Sequence, residues 1–379
     1  MPTTTYDFNN GIRSVQPVFE TLIQDYPTLL KMIARGANAT STKEEWLNDT
    51  LAPQSTAITS FGTDGDGTVI NVTSTAGMAV NQLLRFTSSA GADRAEIVKV
   101  TAIGSATQFT CSRDFGGSTG VTLVTGDLVF NMSKPVVQGS TASAQSAAEP
   151  SVDYNYTQIF EGSVSLARTA LQTAQYGGAN TMAYQINRIL TEKLFEVNSA
   201  LIYGRRYVGT ASAPATLGGL LQFLESGNID TTGSAISKTI INNMLAACYA
   251  DGAVASKYVI VCAPNQARKI SAFNTAGSNP LTMVSPDSTV TGGYISKFVG
   301  DLPVMSGFTA DILVEPIFPK DKIMLLDLNS VELAYLQGFG TTDATANGQD
   351  GTTQRVLGEL TLRVKNGTKA HALATGLTI

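Results

Sequence analysis

Two residues of this 379-residue chain are set in a context that nucleophilic catalysis could use: Ser118, inside the run GGSTG at 116–120, and His371, the single histidine. With many Asp residues between them they follow the chain order of an α/β-hydrolase triad. The Gly-x-Ser-x-Gly elbow works only where a strand precedes the serine and a helix follows it. Here VTLVTGDLVF at 121–130 follows, which is strand-like, so the run reads as a Gly-rich hairpin turn. One histidine cannot build the multi-His sites typical of zinc or non-haem iron. His371 therefore reads as an incidental residue, at the surface or half-buried. The DGDG run at 64–67 begins like a calcium loop, but the twelfth position from Asp64 is Thr75 where a bidentate acid is required. No Gly-x-x-x-x-Gly-Lys phosphate loop occurs, and the glycines at 62, 65 and 67 open no helix. Cys111, Cys248 and Cys262 are widely spaced and form no Cys-x-x-Cys pair, which fits free thiols and leaves a structural disulfide as the alternative. The residues point to no catalytic centre, no metal and no cofactor.

Composition narrows the classes further. Hydrophobic residues make up 43% and charged residues only 15%, with 35 glycines, a globular composition rich in turns. The formal net charge of -5, without a long basic run, disfavours a chain that grips duplex nucleic acid through its field. The N-terminal stretch MPTTTYDFNNGIRSVQ lacks the basic and apolar regions of a secretory signal, and no apolar run approaches membrane-spanning length. The expectation is a soluble protein made in the cytosol, in which triplets such as Asn71-Val72-Thr73 are chance and not glycan sites.

Periodicity defines the elements. Ile12, Val15, Val18, Phe19, Leu22 and Ile23, then Leu29, Leu30 and Ile33 after Pro27, predict a short helix, a proline break and another helical turn. This is either an arm that docks elsewhere or an ordinary helix on its own core. Between 57 and 134, short strand-like runs at 69–72, 83–86, 97–103, 109–112 and 121–130 alternate with Gly-containing turns, predicting a small self-contained β unit. Its exit, QGSTASAQSAAEP at 138–150, has the composition of a linker or loop. Tyr154, Tyr156, Phe160, Val164 and Leu166 all fall on even positions, which predicts one long strand with one buried face. KEEWLNDTLAP at 43–53 is a candidate partner strand, and that pairing would put the β unit at the tip of one long hairpin.

The clearest helix runs from about 180 to 204. Met182, Ile186, Ile189, Leu190, Leu194, Val197 and Leu201 form one apolar stripe, Arg188 and Glu192 can pair on the other side, and Gly177, Gly178 and Gly204 bound it. At 1.5 Å per residue such a helix reaches about 35 to 40 Å. Arg205 and Arg206 follow at once, placed either to hold a neighbour's carboxylates or to complement the helix dipole. Beyond Pro214 the pattern is mixed: a helix at 236–250, a buried strand at 257–264, a helix at 265–273, a loop-rich stretch at 281–310, and strands at 322–328 and 331–336. A last even-numbered face, Val356, Leu360, Leu362 and Val364, marks another strand, with a final one before Ile379.

In this order the elements resemble the major capsid protein of tailed bacteriophages, whose fold is shared with herpesviruses, and most closely a subfamily with a β domain inserted in the extended loop. EEWLNDTLA at 44–52, YTQIFEGSVSLARTA at 156–170 and AYQINRILTEKLFEVNSALIYG at 183–204 carry the resemblance. They look like the descending strand of the extended loop, its return strand and the long spine helix. The resemblance implies an α+β fold with an N-terminal arm at 1–42, an extended-loop hairpin at 43–56 and 135–170, an inserted β barrel or sandwich at 57–134, a peripheral domain at 171–214 and 322–379, and an axial domain at 215–321. It further implies a non-catalytic subunit that self-assembles, in hexamers and pentamers, into an icosahedral shell enclosing double-stranded DNA. Minor capsid or decoration proteins, a portal and a scaffold are partners by the same implication. The resemblance also implies only weak, non-specific contact with packaged DNA, as suits an acidic chain, no membrane partner, synthesis in the host bacterial cytoplasm and residence in the virion. Candidate intersubunit contacts are Trp46, Tyr154, Tyr156, Phe160, Arg205 and Arg206, with Trp46 expected either partly wet until assembly or already in its own core. Two rival readings are a secreted or virion-surface glycan-binding β protein and a hydrolase using Ser118 and His371.

Overall fold

The structure is a computed structural model that describes residues 27–49, 53–61, 67–89, 91–136, 138–139, 149–173, 181–231, 233–252, 258–274, 297–299 and 309–379. The first predicted helix before Pro27, the DGDG run apart from Gly67, most of the 138–150 linker, Gly177, Gly178 and nearly all of 281–310 lie outside the described residues. The chain divides into two compact units, one made of Met1–Asn48 with Ser151–Ile379 and the other of Asp49–Pro150.

The first unit begins with helix α1 (Thr28–Met32) and strands β1 (Ala34–Arg35) and β2 (Lys43–Asn48). Five residues cannot hold a helix by themselves. Helix α1 is held by burial of Leu29 and by side chains remote in sequence: the buried carboxylate of Glu315 accepts from the Leu29 amide at 3.1 Å and from the Thr28 hydroxyl at 2.5 Å, and Asn198 Oδ1 accepts from the Leu30 amide at 3.1 Å.

The second unit is a closed barrel. Its strands are β3 (Ser55–Phe61), β4 (Val69–Val72), β5 (Leu83–Thr87), β6 (Asp93–Ser105), β7 (Gln108–Ser112) and β8 (Leu128–Ser133), closing in the order β3-β4-β7-β6-β5-β8 with every neighbour antiparallel. Alternation along each strand sends Ile70 and Val72, Leu84 and Phe86, Val98 and Val100, and Phe109 and Cys111 inward to one core. The connection from β7 to β8 is irregular, and two buried carboxylates hold it. Glu96 receives Arg113 in a two-pronged pair and the Val121 amide at 2.9 Å, while Asp127 receives Arg94 at 2.9 Å and the Val124 amide at 2.8 Å. Each charge is thus paired and further hydrogen-bonded, which burial requires.

The chain re-enters the first unit through β9 (Ser151–Tyr156), β10 (Gln158–Ala167), α2 (Arg168–Gln172) and α3 (Met182–Tyr203). Helix α3 starts at Thr181, whose side chain accepts the Tyr184 amide, and carries the expected Arg188–Glu192 pair at 3.2 Å. It packs on β10 where Gly162 leaves room: a Cβ there would stand 2.5 Å from Cγ2 of Ile189. Next come α4 (Leu220–Leu224), β11 (Asn228–Thr231), α5 (Lys238–Ala250), β12 (Tyr258–Cys262), α6 (Pro264–Ser271), β13 (Lys297–Val299) and β14 (Thr309–Val314). Four strands end the chain: β15 (Ile323–Asp327), β16 (Val331–Asp343), β17 (Gly351–Val364) and β18 (Ala372–Thr375).

These strands make a four-stranded sheet, β1-β16-β17-β10, a six-stranded sheet, β11-β18-β15-β12-β14-β13, and a two-stranded ribbon, β2-β9. The central strands β12 and β15 are buried at every residue and read as unbroken apolar runs because both faces of their sheet are covered. Val259, Val261, Met324 and Leu326 face the core shared with α3 and α4, and Tyr258, Ile260, Cys262, Ile323 and Leu325 face the core built with α5.

The even-numbered alternation from 154 to 166 does not make one strand with one buried face. Strand β9 pairs with β2, β10 pairs with β17, and Thr157 separates them. Across that break the buried side switches: Asn155 and Thr157 are buried in the first part, Phe160 and Val164 in the second. The spine stripe is also covered unevenly. Val197, Leu201 and Ile202 are fully buried, whereas Ile186, Ile189, Leu190 and Leu194 are half-buried.

Candidate functional site

The residues with catalytic chemistry are committed to structure. Ser118 follows a short 3-10 turn at Phe115–Gly117, with Gly116 and Gly117 at φ of 70° and 81°, and extended chain follows it where a nucleophile elbow needs a helix. Its hydroxyl accepts from the Ile97 amide at 3.2 Å and lies 3.1 Å from the Ile97 carbonyl and 3.0 Å from the Phe115 carbonyl, so it ties the turn to β6. His371 is not at the surface or half-buried, as expected of an incidental histidine. It is fully buried, and Nδ1 accepts from the Asp327 amide at 3.0 Å. Burial lowers its pKa to about 4, so the ring is neutral with its proton on Nε2. The cysteines are buried free thiols pushed up to about 12 by burial, the opposite of what a reactive thiolate needs. Among the described residues no group of three His, Cys, Asp or Glu side chains could hold a metal ion.

The other candidates gather around the β2-β9 ribbon, and most are used inside the subunit. Trp46 is 8% exposed, tilted against Phe223 with ring centroids 5.9 Å apart. The reading of Trp46 as a side chain partly wet in the free subunit is corrected: β2 points it inward, opposite Asp153, onto α4. Phe160 is likewise buried, because β10 turns it into the core under α3. Tyr154 lies between two cations, Arg206 at 4.1 Å and Lys43 at 4.4 Å from its ring, and meets Tyr156 edge-on at 5.6 Å. Arg206 also donates to the Tyr154 carbonyl at 2.6 Å and to Asp153 at 3.2 Å, while Arg205 pairs with Glu225 at 2.5 Å. Neither arginine is held in reserve at the helix end.

Sequence reasoning missed the centre of this arrangement, Asn155. Its Nδ2 donates to the carbonyls of Gly218 at 3.0 Å and Leu362 at 2.8 Å, and its Oδ1 accepts from the amides of Gly218 at 2.7 Å and Tyr156 at 2.9 Å. All four positions of the buried amide are filled. Gly218 permits the approach, since a Cβ there would stand 3.3 Å from Asn155 Oδ1 and 2.7 Å from Gln222 Oε1. Arg363 grips Glu44 at 2.5 Å from the other side, the Asn366 amide donates to Asn48 at 3.0 Å, and the Thr361 hydroxyl donates to the Tyr156 carbonyl at 2.9 Å. The ribbon is thereby clamped to the strand and loops beneath it.

What the clamp leaves outside is apolar. Leu47 and Val152 are direct cross-strand partners and are 66% and 59% exposed, on the same face as Tyr154 and Tyr156. The signal that could have found them is the apolar type of both residues at the ends of strands whose other faces are buried.

A family model described as SU10 major capsid protein matches residues 1–378 of the chain. Among solved structures, the fold is similar to the capsid of an empty GTA particle, with a TM-score of 0.54 and 11% identity over 99% of this chain and 98% of that one. The capsid of the native GTA particle gives the same values. The capsid of Myoviridae phage XM1 is similar at a TM-score of 0.50 and 12% identity, covering 97% of this chain and 100% of that chain. No curated protein sequence matches the chain.

Proposed function

The chain belongs to the SU10 major capsid protein family, and from that premise we propose that its copies, in hexamers and pentamers, tile an icosahedral shell around double-stranded DNA. The protein is a structural capsid protein that associates with itself and is located in the capsid. The single observation that carries the finer reading is the exposed Leu47–Val152 pair on a clamped ribbon, because two large aliphatic side chains held side by side at fixed positions offer a neighbouring copy an apolar contact. We assign that face to contact with a neighbouring copy. Arg205 and Tyr156, both still accessible, belong to the same proposed contact region. The subunit's role is mechanical. The net charge of -5 suits a wall to which DNA does not adhere strongly, and scaffold, portal and decoration proteins are the further partners of this reading. Host bacterial cytoplasm is its proposed place of synthesis.

Neither rival reading has support. The Ser118 hydroxyl is occupied by backbone groups, His371 is sealed in the core, and the family match covers nearly the whole chain.

Negative-stain microscopy of the purified protein tests the proposal. Closed particles of uniform diameter are expected, and Leu47→Asp should leave the subunit folded while removing the particles. A wild-type preparation that contains only small soluble species would sink the reading.

A further inference from the structure

The two-stranded ribbon is the place where the chain leaves and rejoins the first unit. Its last pair is Asn48 with Ser151, and residues 49–150 form the second unit. A free two-stranded ribbon is marginal in water, so what holds this one matters to whatever the ribbon presents. Besides Trp46, packed on Phe223, the groups that hold it are polar and specific. Asn155 fills all four hydrogen-bonding positions with backbone of the 217–219 loop and β17. Arg206 stacks on Tyr154 at 4.1 Å and donates to Asp153 and the Tyr154 carbonyl. Asn155 lies on the inward face, while Arg206 reaches the ribbon from its edge, through Asp153 and through the ring of Tyr154, which shares a face with Leu47 and Val152.

We infer that Asn155 and Arg206 are positioning residues for shell assembly, holding the β2-β9 ribbon docked so that Leu47 and Val152 are presented to a neighbouring copy in one fixed geometry. An undocked ribbon would have to be ordered at the moment of contact, and that loss of conformational freedom is subtracted from the association energy. Docking the ribbon inside each subunit first removes the loss from the assembly step. Charge-assisted hydrogen bonds and a fully satisfied buried amide suit this task better than apolar packing does, because they specify one register and are costly to leave half made. This inference rests on the capsid reading.

The chain carries its own reporters. Trp46, the only tryptophan, lies on the ribbon, and its buried indole N–H has no hydrogen-bond partner among the described residues, so its exchange with solvent follows undocking. His371, the only histidine, lies in the core beside β18 and reports whether the unit beneath stays folded.

The experiment compares unassembled wild-type subunits with Asn155→Ala, Arg206→Gln and Arg206→Lys by NMR of these two side chains, and scores particle yield by microscopy. Removing the Arg206 bonds is expected to raise indole exchange by about tenfold or more, to leave the His371 resonance in place and to lower particle yield. Arg206→Lys, which keeps a cation against Tyr154 and Asp153, is expected to recover part of both. If Asn155→Ala does not fold, Arg206→Gln carries the test, since that guanidinium is only partly buried. Unchanged indole exchange in Arg206→Gln would show that Arg206 does not hold the ribbon docked. Fast exchange with normal particles would show that docking is irrelevant to assembly. Either outcome overturns the inference while leaving the capsid reading standing. Failure of the wild-type chain to form particles would instead remove the capsid reading itself.

Discussion

His371 is the one side chain whose ordinary titration range lies near neutrality, and its burial gives the subunit a calculable acid response. Its pKa falls from 6.5 to about 4 through burial, against smaller opposing effects of the Asp327 carboxylate and the Lys365 backbone. The folded state therefore binds its proton less readily than the unfolded chain. The stability associated with the neutral ring is fully present above about pH 6.5 and is lost as pH falls toward 4, by about 3 kcal/mol in all. Below pH 4 this residue contributes no further loss. Denaturant midpoints measured from pH 7.5 to 4 should fall more steeply for wild type than for His371→Gln, and the gap between the two curves isolates the histidine from the carboxylates that begin to protonate in the same range. Parallel curves would mean that the imidazole is not neutral and buried. The same residue shows where local reading stops: nothing in KAHALAT marks its histidine as a core residue, because the amide that fills its Nδ1 belongs to Asp327, 44 positions earlier.

At the scale of elements, helix α3 is two helices in energetic terms. Its C-terminal half buries Val197, Leu201 and Ile202 completely, while Ile186, Ile189, Leu190 and Leu194 in the N-terminal half are only half-covered within the subunit. Leu201→Ala should cost about 2 to 5 kcal/mol of subunit stability, and Leu190→Ala clearly less. Urea denaturation of the two variants decides it, and equal losses would show that the stripe is covered evenly. The apolar stripe is one face of the helix, and its burial is graded along that face. The 3.6-residue period locates a helix and its apolar face, but how deeply each turn is covered depends on what packs there: α1, α4, β10 and β17 all contact the helix, and only its last turns are fully buried. Asn198 makes the same point, since a polar residue is fully buried on that face because the Leu30 amide uses its oxygen.

For the whole molecule, the Asp49–Pro150 unit has a complete core of its own, from Ile58 through Val129, and pairs its buried charges internally. Expressed alone, residues 49–150 should give a β-type circular dichroism spectrum and a cooperative melt. A random-coil spectrum would show that the barrel depends on the rest of the chain. The first unit lacks that independence in its sequence order, because its strands pair across the insertion: β1 pairs with β16 and β2 with β9.

The amino-acid sequence by itself determined the elements. The apolar runs of β12 and β15, the even-numbered face of β17, the stripe of α3 and the strand-and-turn texture of the barrel all follow from local period and composition, which act over a few residues. Only the tertiary structure decided which face of a strand is covered. Asn155 looks like an outward residue between two tyrosines, and it is buried because Gly218 and Leu362, 63 and 207 positions away, bring carbonyls and an amide to it. Trp46 is core and Leu47 is surface for the same reason: alternation says that neighbouring side chains point opposite ways, and the packing partner says which way is in.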